Sequence, residues 1–267
     1  MFHLFYFVLG GKRITYKQYK HILVKTVYTM SFFILSKNKT INVDKKEEDN
    51  IISMTNKTNY ILPRNQINYY INNGLYESGL IEWSKQFCHK DKIMIDIGAH
   101  TGSYALSLSS YCKHVYAFEP QKMTYYALCG GVALSDASNI TCINKGIGSL
   151  EQVGNMKLNI ISSDGGMSSL HTNASYPIID TENIEIITLD SINLSEISFI
   201  KIDVEENEKQ VIEGAIKTIE MCNYPHVLFE CNNKVAHSDL FSLLKKINYS
   251  VTSLNGFQNM YLAYVNK

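Results

Sequence analysis

Three acidic residues, Asp96, Glu119 and Asp203, each stand at or directly after the end of a short apolar run. Apolar runs that alternate with amphipathic segments predict a parallel sheet covered by helices on both faces. In such sheets ligands bind at the carboxyl ends of the strands. One acid at a strand end often only caps the next helix. Three acids at the same edge predict a shared binding site.

The first of these acids opens a glycine turn that runs Asp96-Ile97-Gly98-Ala99-His100-Thr101-Gly102. Gly98 and Gly102 allow the backbone to turn tightly and to approach a ligand. Glu119 follows the next strand, where a carboxylate can accept both hydrogen bonds of a ribose diol. A pyrophosphate needs a G-x-G-x-x-G turn instead, and a carboxylate before the turn repels phosphate. The pattern therefore favours S-adenosyl-L-methionine, which carries an ammonium, a sulfonium and a ribose diol, over a nucleotide cofactor.

The elements that must position these residues form a regular series from about residue 74. One helix is expected to present Val211, Ile212, Ala215 and Ile219 on a single face. A loop rich in Gly and Ser, residues 162–169, is either a flap over the acceptor or a simple connection. The fold class expected is α/β, with a mostly parallel sheet. Its strands are predicted near residues 92–96, 114–118, 140–144, 156–161, 184–189, 199–203, 226–230, 249–254 and 260–265.

Composition limits the classes of partner. The 267 residues contain 25 Lys plus Arg and 25 Asp plus Glu, so the formal net charge is zero. A protein that binds nucleic acid as its main partner normally shows a basic excess, so nucleic acid is disfavoured. The six cysteines are scattered without a C-x-x-C pair, which predicts reduced thiols, no metal site and a cytoplasmic location. No transmembrane segment is predicted, because the stretch 22–35 is short and carries a lysine.

Residues 1–60 differ in character from the rest and include the charged stretch 44–49. We interpret residues 1–60 as an N-terminal appendage and solvated linker, and residues 61–267 as the globular domain. A dimerisation arm or a substrate cover is the alternative for the appendage. A homo-oligomer is compatible with the sequence.

Several ordered blocks of the chain resemble the FkbM family of S-adenosylmethionine-dependent methyltransferases, over about residues 74–265. They are Gly74-Leu75-Tyr76-Glu77, Ile95 to Gly102, Ala117-Phe118-Glu119-Pro120, Thr188-Leu189-Asp190, Lys201-Ile202-Asp203-Val204-Glu205, Val211-Ile212-Glu213-Gly214-Ala215 and Leu228-Phe229-Glu230. The resemblance implies a class I, Rossmann-like methyltransferase fold, with seven strands of which the last is antiparallel. It also implies O-methylation, commonly of sugar or polyketide hydroxyls.

Roles follow from the resemblance at matching positions. Asp96, Gly98 and Gly102 would form the methionine side of the cofactor pocket, and Glu119 would hold the ribose. Glu77 and His100 are further candidates for binding the cofactor, although the turn could also direct the His100 ring toward solvent. Ile147 would lie near the adenine. Asp203 and Glu205 would face the acceptor, with Asp203 also on the cofactor side.

General-base catalysis would help a sugar hydroxyl to lose its proton. The candidates are Asp203, Glu205 and His237, in that order. A solvated charge at a helix N-terminus is the alternative for Glu205, and a helix cap is the alternative for His237. The chain departs from the family where Glu206 replaces a usual glycine, and where Cys129-Gly130-Gly131 replaces a usual asparagine and leucine.

The function expected from the sequence is S-adenosylmethionine-dependent O-methylation of a sugar, a glycan or a small natural product. Two alternatives stay open. An RNA 2′-O-methyltransferase would use the same cofactor pocket but would need a cationic acceptor groove. A non-catalytic binding module would keep the fold without the reaction, and the departure at Glu206 is compatible with it.

Overall fold

The computed structural model describes residues 6–9, 12–15, 32–36, 51–52, 58–172, 176–232 and 234–266, and the side chains of residues 58–172, 176–232 and 238–266. Most of the predicted appendage 1–60, including the charged stretch 44–49, lies outside the described residues. Within the described ranges, no helix has both the length and the apolar character needed to cross a bilayer.

The strands and helices are named in chain order. The strands are β1 Tyr6–Leu9, β2 Lys12–Thr15, β3 Phe32–Ser36, β4 Ile51–Ile52, β5 Asn59–Pro63, β6 Ile93–Ile97, β7 His114–Phe118, β8 Ile140–Ile143, β9 Gly146–Ile147, β10 Gly154–Ile160, β11 Asp180–Ile187, β12 Ile197–Ile202, β13 His226–Glu230, β14 Ser250–Ser253 and β15 Met260–Tyr264. The helices are α1 Ile67–Asn73, α2 Ser78–Ser84, α3 Ser103–Leu108, α4 Lys122–Leu134, α5 Glu208–Glu213, α6 Ile216–Met221 and α7 Lys234–Lys246.

The main sheet has seven strands in the order β14-β15-β13-β12-β6-β7-β8. Neighbouring strands from β13 to β8 are parallel, and β15 is antiparallel to both β13 and β14. Helices α2, α3 and α4 bury apolar side chains on one face, and α5, α6 and α7 do so on the other. Because both faces are covered, the central strands are mostly apolar, and the charged residues Asp96 in β6 and Lys201 in β12 are exceptions near their carboxyl ends. The predicted α/β class and antiparallel last strand are confirmed.

A second, three-stranded sheet has the order β10-β11-β9. Strands β10 and β11 pair antiparallel from Gly154 opposite Ile186 to Ile160 opposite Asp180. Their inward side chains form a small apolar cluster of Leu158, Ile160, Ile184 and Ile186. The Gly/Ser loop 162–169 therefore belongs to a hairpin that stands apart from the main sheet.

The single helix predicted through Val211 and Ile219 is two helices, α5 and α6. The interruption is at Gly214, where an added Cβ would lie 2.0 Å from the carbonyl oxygen of Gly148. The carboxylate of Asp190 then accepts hydrogen bonds from the backbone of the first turn of α6. The prediction of one continuous helix was wrong, because a close contact between distant segments breaks it.

Strand β5 crosses the predicted domain boundary at 60/61. It pairs antiparallel with β3 and packs on α4. The two helix positions that depart from the family pattern, Gly130 and Gly131, make this contact. A Cβ added at Gly130 would lie 2.4 Å from the side chain of Ile61, and one added at Gly131 would lie 3.2 Å from the carbonyl oxygen of Asn59. The two glycines thus allow β5 to approach α4 closely. The boundary itself stays a prediction.

Candidate active site

The main sheet brings the predicted acids to one edge, because β7, β6 and β12 are neighbours and parallel. A cavity of about 630 Å³ opens along this edge. Six of the eight residues expected to bind the cofactor line it, namely Glu77, Gly98, His100, Glu119, Ile147 and Asp203. Two residues expected there, Asp96 and Gly102, are not among those that line it.

The glycine turn is held against the next strand. The backbone N–H groups of Gly98 and Ala99 both donate to the carbonyl oxygen of Phe118, at 3.0 and 2.9 Å. Gly98 has a φ of 75°, and an added Cβ would lie 1.8 Å from the carbonyl oxygen of Asp203. Only glycine therefore fits where the β6 and β12 loops meet. Gly102 has a packing role instead, since its Cβ would lie 2.6 Å from a Leu128 methyl group.

Asp96 lies below the cavity floor and is completely buried. Its Oδ2 accepts a hydrogen bond from the backbone N–H of Ala105 at 3.0 Å, while Oδ1 has no partner. Burial raises the pKa of Asp96 to about 6, against the opposing influence of the Lys201 charge. Asp96 thus fixes the first turn of α3 from beneath the cofactor pocket.

Glu119 is buried at the end of β7 with its carboxylate in the cavity. Its Oε2 accepts from the backbone N–H of His100 at 2.8 Å, and its Oε1 accepts from that of Gln121 at 2.8 Å. Burial raises the pKa of Glu119 to about 7, although both hydrogen bonds oppose the shift. Each oxygen keeps a free acceptor position, so the group can still receive a diol.

His100 connects the glycine turn to the Gly/Ser loop. It adopts a left-handed conformation with φ of 51°, and its Nε2 lies 2.8 Å from the carbonyl oxygen of Asp164. Burial lowers the pKa of His100, so the imidazole is neutral and donates to that carbonyl. The carboxylate of Asp164 accepts from Asn65 at 3.1 Å and from Gln66 at 3.4 Å. The loop is therefore fastened on two sides above the site.

The Gly/Ser loop 162–169 is both a hairpin connection and a wall of the cavity. Its far end reaches the acceptor side, where the Ser169 hydroxyl donates to the carbonyl oxygen of Glu205 at 2.7 Å. Sequence reasoning missed Asp164 as a site residue. The only sequence signal was an aspartate in the loop between two predicted strands. Such a residue does not indicate a binding site until the position of the strands is known.

An apolar slot lies beside Glu119. It is formed by Phe118, Ile147, Leu158, Ile184 and Ile186, which come from the main sheet and from the second sheet. The predicted position of Ile147 in the cavity fits an adenine environment. The contribution of β10 and β11 was not foreseen, although their alternating apolar residues were a usable signal.

Lys201 and Asp203 form the centre of the site. The buried Nζ of Lys201 donates to Oδ2 of Asp203 at 3.1 Å and to the carbonyl oxygen of Gly98 at 3.4 Å. Burial alone would lower the pKa of Lys201, but Asp203, Asp96 and Glu77 outweigh it and raise that pKa. The hydroxyl of Tyr104 donates to Oε2 of Glu77 at 2.8 Å. Lys201 is therefore a permanent cation that organises carboxylates.

Glu205 lines the cavity from a turn held in an uncommon backbone conformation. Glu205 and Glu206 have φ values of 51° and 78°. The carboxylate of the buried Glu208 accepts from the backbone N–H groups of Val204 at 3.4 Å and Glu206 at 3.2 Å, which fastens the turn. A left-handed residue at 206 explains why a glycine suits this position. Burial, with Asp203 and Glu208 adding to it, raises the pKa of Glu205 to about 7.

The remaining predicted catalytic residue, His237, belongs to α7, and its side chain lies outside the described residues. Glu230, at the end of β13, lines the cavity with Asp203 and Glu205, although no role was predicted for it. In the part of the chain with described side chains, no group of three or more His, Cys, Asp or Glu residues is arranged to hold a metal ion.

The model of the methyltransferase FkbM domain matches residues 96–251. The chain has no match among curated proteins.

Among solved structures, the chain is similar to methyltransferase FkbM from Methylobacillus flagellatus KT, with 18% identity over 75% of this chain and 51% of that one and a TM-score of 0.47. It is similar to precorrin-6y C5,15-methyltransferase from Geobacter metallireducens GS-15, with 11% identity over 71% and 90% of the two chains and a TM-score of 0.44. It is also similar to SMU.1697c from Streptococcus mutans in complex with SAH, with 15% identity over 69% and 97% and a TM-score of 0.43.

The family model covers more than half of the chain, including the glycine turn, Glu119 and the Lys201–Glu205 block. The predicted family, fold and cofactor are confirmed on this basis. The chain belongs to the FkbM methyltransferase family, with the class I methyltransferase fold and S-adenosyl-L-methionine as its cofactor.

Proposed function

We propose that this protein transfers the methyl group of S-adenosylmethionine to a hydroxyl of a sugar, a glycan or a small natural product. The observation that carries the proposal is that one cavity contains both Glu119, after β7, and Glu230, at the end of β13. Two strands stand between β7 and β13, so these ends are roughly 14 Å apart at a strand spacing of about 4.8 Å. That length accommodates a methyl donor and an acceptor end to end.

The donor side fits the cofactor by shape and by charge. Glu119 offers two acceptor oxygens to a ribose diol, beside the apolar slot that contains Ile147. Gly98 leaves the backbone bare where the methionine part would lie, and the neighbouring carboxylates suit its ammonium group. When bound, S-adenosylmethionine supplies an electrophilic methyl group on a sulfonium.

The acceptor side fits a hydroxyl that must lose a proton. Asp203 forms an ion pair with the Lys201 ammonium at 3.1 Å, so the lysine already occupies one of its carboxylate oxygens. Glu205 is not paired with a cation in this way, and its raised pKa of about 7 suits a group that takes up a proton near neutral pH. We assign the general base to Glu205 and the orientation of the acceptor hydroxyl to Asp203. This assignment reverses the order expected from the sequence, because Lys201 neutralises Asp203.

The geometry required of the acceptor is an in-line approach to the methyl carbon, and positioning supplies much of the acceleration. The wall of Asp203, Glu205 and the loop 162–169 would exclude water and fix that approach. His237, on α7, stays a third candidate for the general base, and a variant at this position would test it.

The test combines binding and transfer. Isothermal titration with S-adenosylhomocysteine measures the cofactor site, and a panel of sugars, glycosides and polyketide alcohols with labelled methyl donor measures the reaction. The matched pair of variants is Glu205→Gln inside the cavity and Glu220→Gln on the exposed surface of α6. We expect both variants to bind cofactor and only Glu205→Gln to lose transfer. Cofactor binding without transfer to any hydroxyl, together with transfer to an amine or a carbon, would refute O-methylation.

A further inference from the structure

We propose that the acceptor is a sugar that carries no phosphate, so that methylation follows the glycosyl transfer that removes the nucleoside diphosphate. This inference rests on the proposed function and specifies its substrate class. It comes from the charges that line the cavity and from Glu230, to which the proposed reaction assigns no chemical step.

The lining of the cavity contains more acidic than basic side chains. Two lysines, Lys145 and Lys201, are the only Lys or Arg residues among the described residues that line it. The six carboxylates that line it are Glu77, Glu119, Asp164, Asp203, Glu205 and Glu230. The cofactor carries one net positive charge, since its ammonium and sulfonium outweigh its carboxylate. The occupied cavity therefore still has an excess of carboxylates.

Neither lysine is an unpaired cation at the acceptor wall. Lys201 is enclosed by carboxylates, with Asp203 at 3.1 Å, and its ammonium also reaches the carbonyl oxygen of Gly98. Lys145 lies at the adenine end, next to β9, and pairs with Glu185 at 2.6 Å. His100 is neutral and donates to Asp164. Phosphate recognition in proteins relies on Arg forks, free Lys or helix N-termini, and the acceptor wall offers carboxylates instead.

Of the carboxylates that line the cavity at strand ends, Glu230 lies furthest from Glu119, at the acceptor end. It ends β13, one strand beyond β12, and lies half-buried beside Asp203 and Glu205. Burial first, and then these two carboxylates, raise the pKa of Glu230 to about 7. A phosphate brought to the same wall would add negative charge where negative charge is already crowded. Like-charge juxtaposition of this kind is a means of rejecting partners.

The consequence concerns the order of reactions. Activated sugars carry phosphates, because glycosyl transfer uses a nucleoside diphosphate as leaving group. In that transfer the bond from the anomeric carbon to the phosphate oxygen breaks, and its electron pair leaves with the nucleoside diphosphate. An acceptor hydroxyl forms the glycosidic bond and loses its proton. The glycoside that remains is the form that this cavity accepts. A glycosyl-transfer reaction must therefore supply the substrate.

The experiment uses the full-length protein, labelled methyl donor and a panel of matched probes: p-nitrophenyl hexosides, the corresponding hexose 1-phosphates and the UDP-hexoses. We expect kcat/KM for a glycoside to exceed that for its phosphorylated partner by about tenfold or more. Glu230→Gln should narrow this ratio several-fold, whereas Glu220→Gln, the same change outside the cavity, should leave it unchanged. Salt should raise kcat/KM for the phosphorylated probes and not for the glycosides, because it screens repulsion.

The outcomes separate this inference from the proposed function. Efficient methylation of a UDP-hexose or a hexose phosphate, equal to or above the glycoside, overturns the inference and leaves O-methylation intact. Cofactor binding with no transfer to either kind of carbohydrate overturns it as well, while the methyl-donor site stands. Failure to bind S-adenosylhomocysteine would instead refute the cofactor site on which the proposed function depends. If the ratio of kcat/KM for the glycoside to that for the phosphorylated probe is the same in Glu230→Gln as in the wild type, Glu230 does not cause the discrimination. If salt also leaves kcat/KM for the phosphorylated probes unchanged, the charge argument is refuted.

Discussion

Replacement of Gly98 by alanine tests the central contact of the site, the meeting of the glycine turn with the end of β12. Two costs are expected. The φ of 75° is a conformation that costs a residue with a Cβ about 1–2 kcal/mol. The new Cβ would also lie 1.8 Å from the carbonyl oxygen of Asp203, and backbone cannot rotate aside as a side chain can. Overpacking of this kind costs about 1–3 kcal/mol.

A matched control separates the two costs. Gly256 has a similar φ of 88°, but an added Cβ would meet nothing within 4 Å. Gly256→Ala should therefore lower the free energy of unfolding by about 1–2 kcal/mol, the conformational cost alone. Gly98→Ala should lower it by about 2–5 kcal/mol, the sum of both costs.

Urea denaturation followed by circular dichroism gives the two free energies of unfolding. Titration with S-adenosylhomocysteine gives the second readout, because displacement of Asp203 and the turn should weaken cofactor binding at least about tenfold in Gly98→Ala only. Equal destabilisation of the two variants, with unchanged cofactor affinity in both, would refute the packing argument and the placement of the turn.

Three further predictions concern the carboxylates of the site. Glu119→Gln should raise the Kd for S-adenosylhomocysteine by the equivalent of about 1–3 kcal/mol, since a charged acceptor facing the ribose is lost; calorimetry measures this. Glu206→Gly should raise the free energy of unfolding by about 0.5–1 kcal/mol in urea titrations, because relief of the left-handed strain at φ of 78° exceeds the extra freedom of glycine in the unfolded chain. The kcat/KM should rise with pH through about 7, because Glu205 must be ionised to accept a proton and its pKa is raised to about 7. Glu205→Gln should lower kcat about 100-fold or more and flatten that rise.

Each of these has an outcome that would contradict it. If Glu119→Gln binds S-adenosylhomocysteine as tightly as the charge-matched control Glu220→Gln does, the ribose does not bind at Glu119. A loss of stability in Glu206→Gly would show that the side chain of Glu206 contributes more than its backbone conformation costs. A pH rise that persists in Glu205→Gln would assign the proton to another group, with Glu230 the next to be replaced.

The strands of the main sheet were predictable because parallel strands buried on both faces are continuous apolar runs in sequence. The glycine turn was predictable because a left-handed backbone and a close approach both demand the residue without a Cβ. The division of the predicted helix at Gly214 was not, since its cause is the carbonyl oxygen of Gly148, 66 positions earlier in the numbering. The role of Glu206 became interpretable only when its φ was known.

What the sequence by itself determined was the α/β class, the family and the kind of cofactor, because these depend on residue types at short, ordered spacings. The tertiary structure decided which residues meet in the cavity. It buried Asp96 beneath the cavity, brought Asp164 over the site from a separate hairpin, and paired Lys201 with Asp203. The proposed assignment of the general base to Glu205 rests on that pairing. The physical reason is that burial, pairing and charge balance depend on strand order and side-chain direction, which spacing along the chain does not contain.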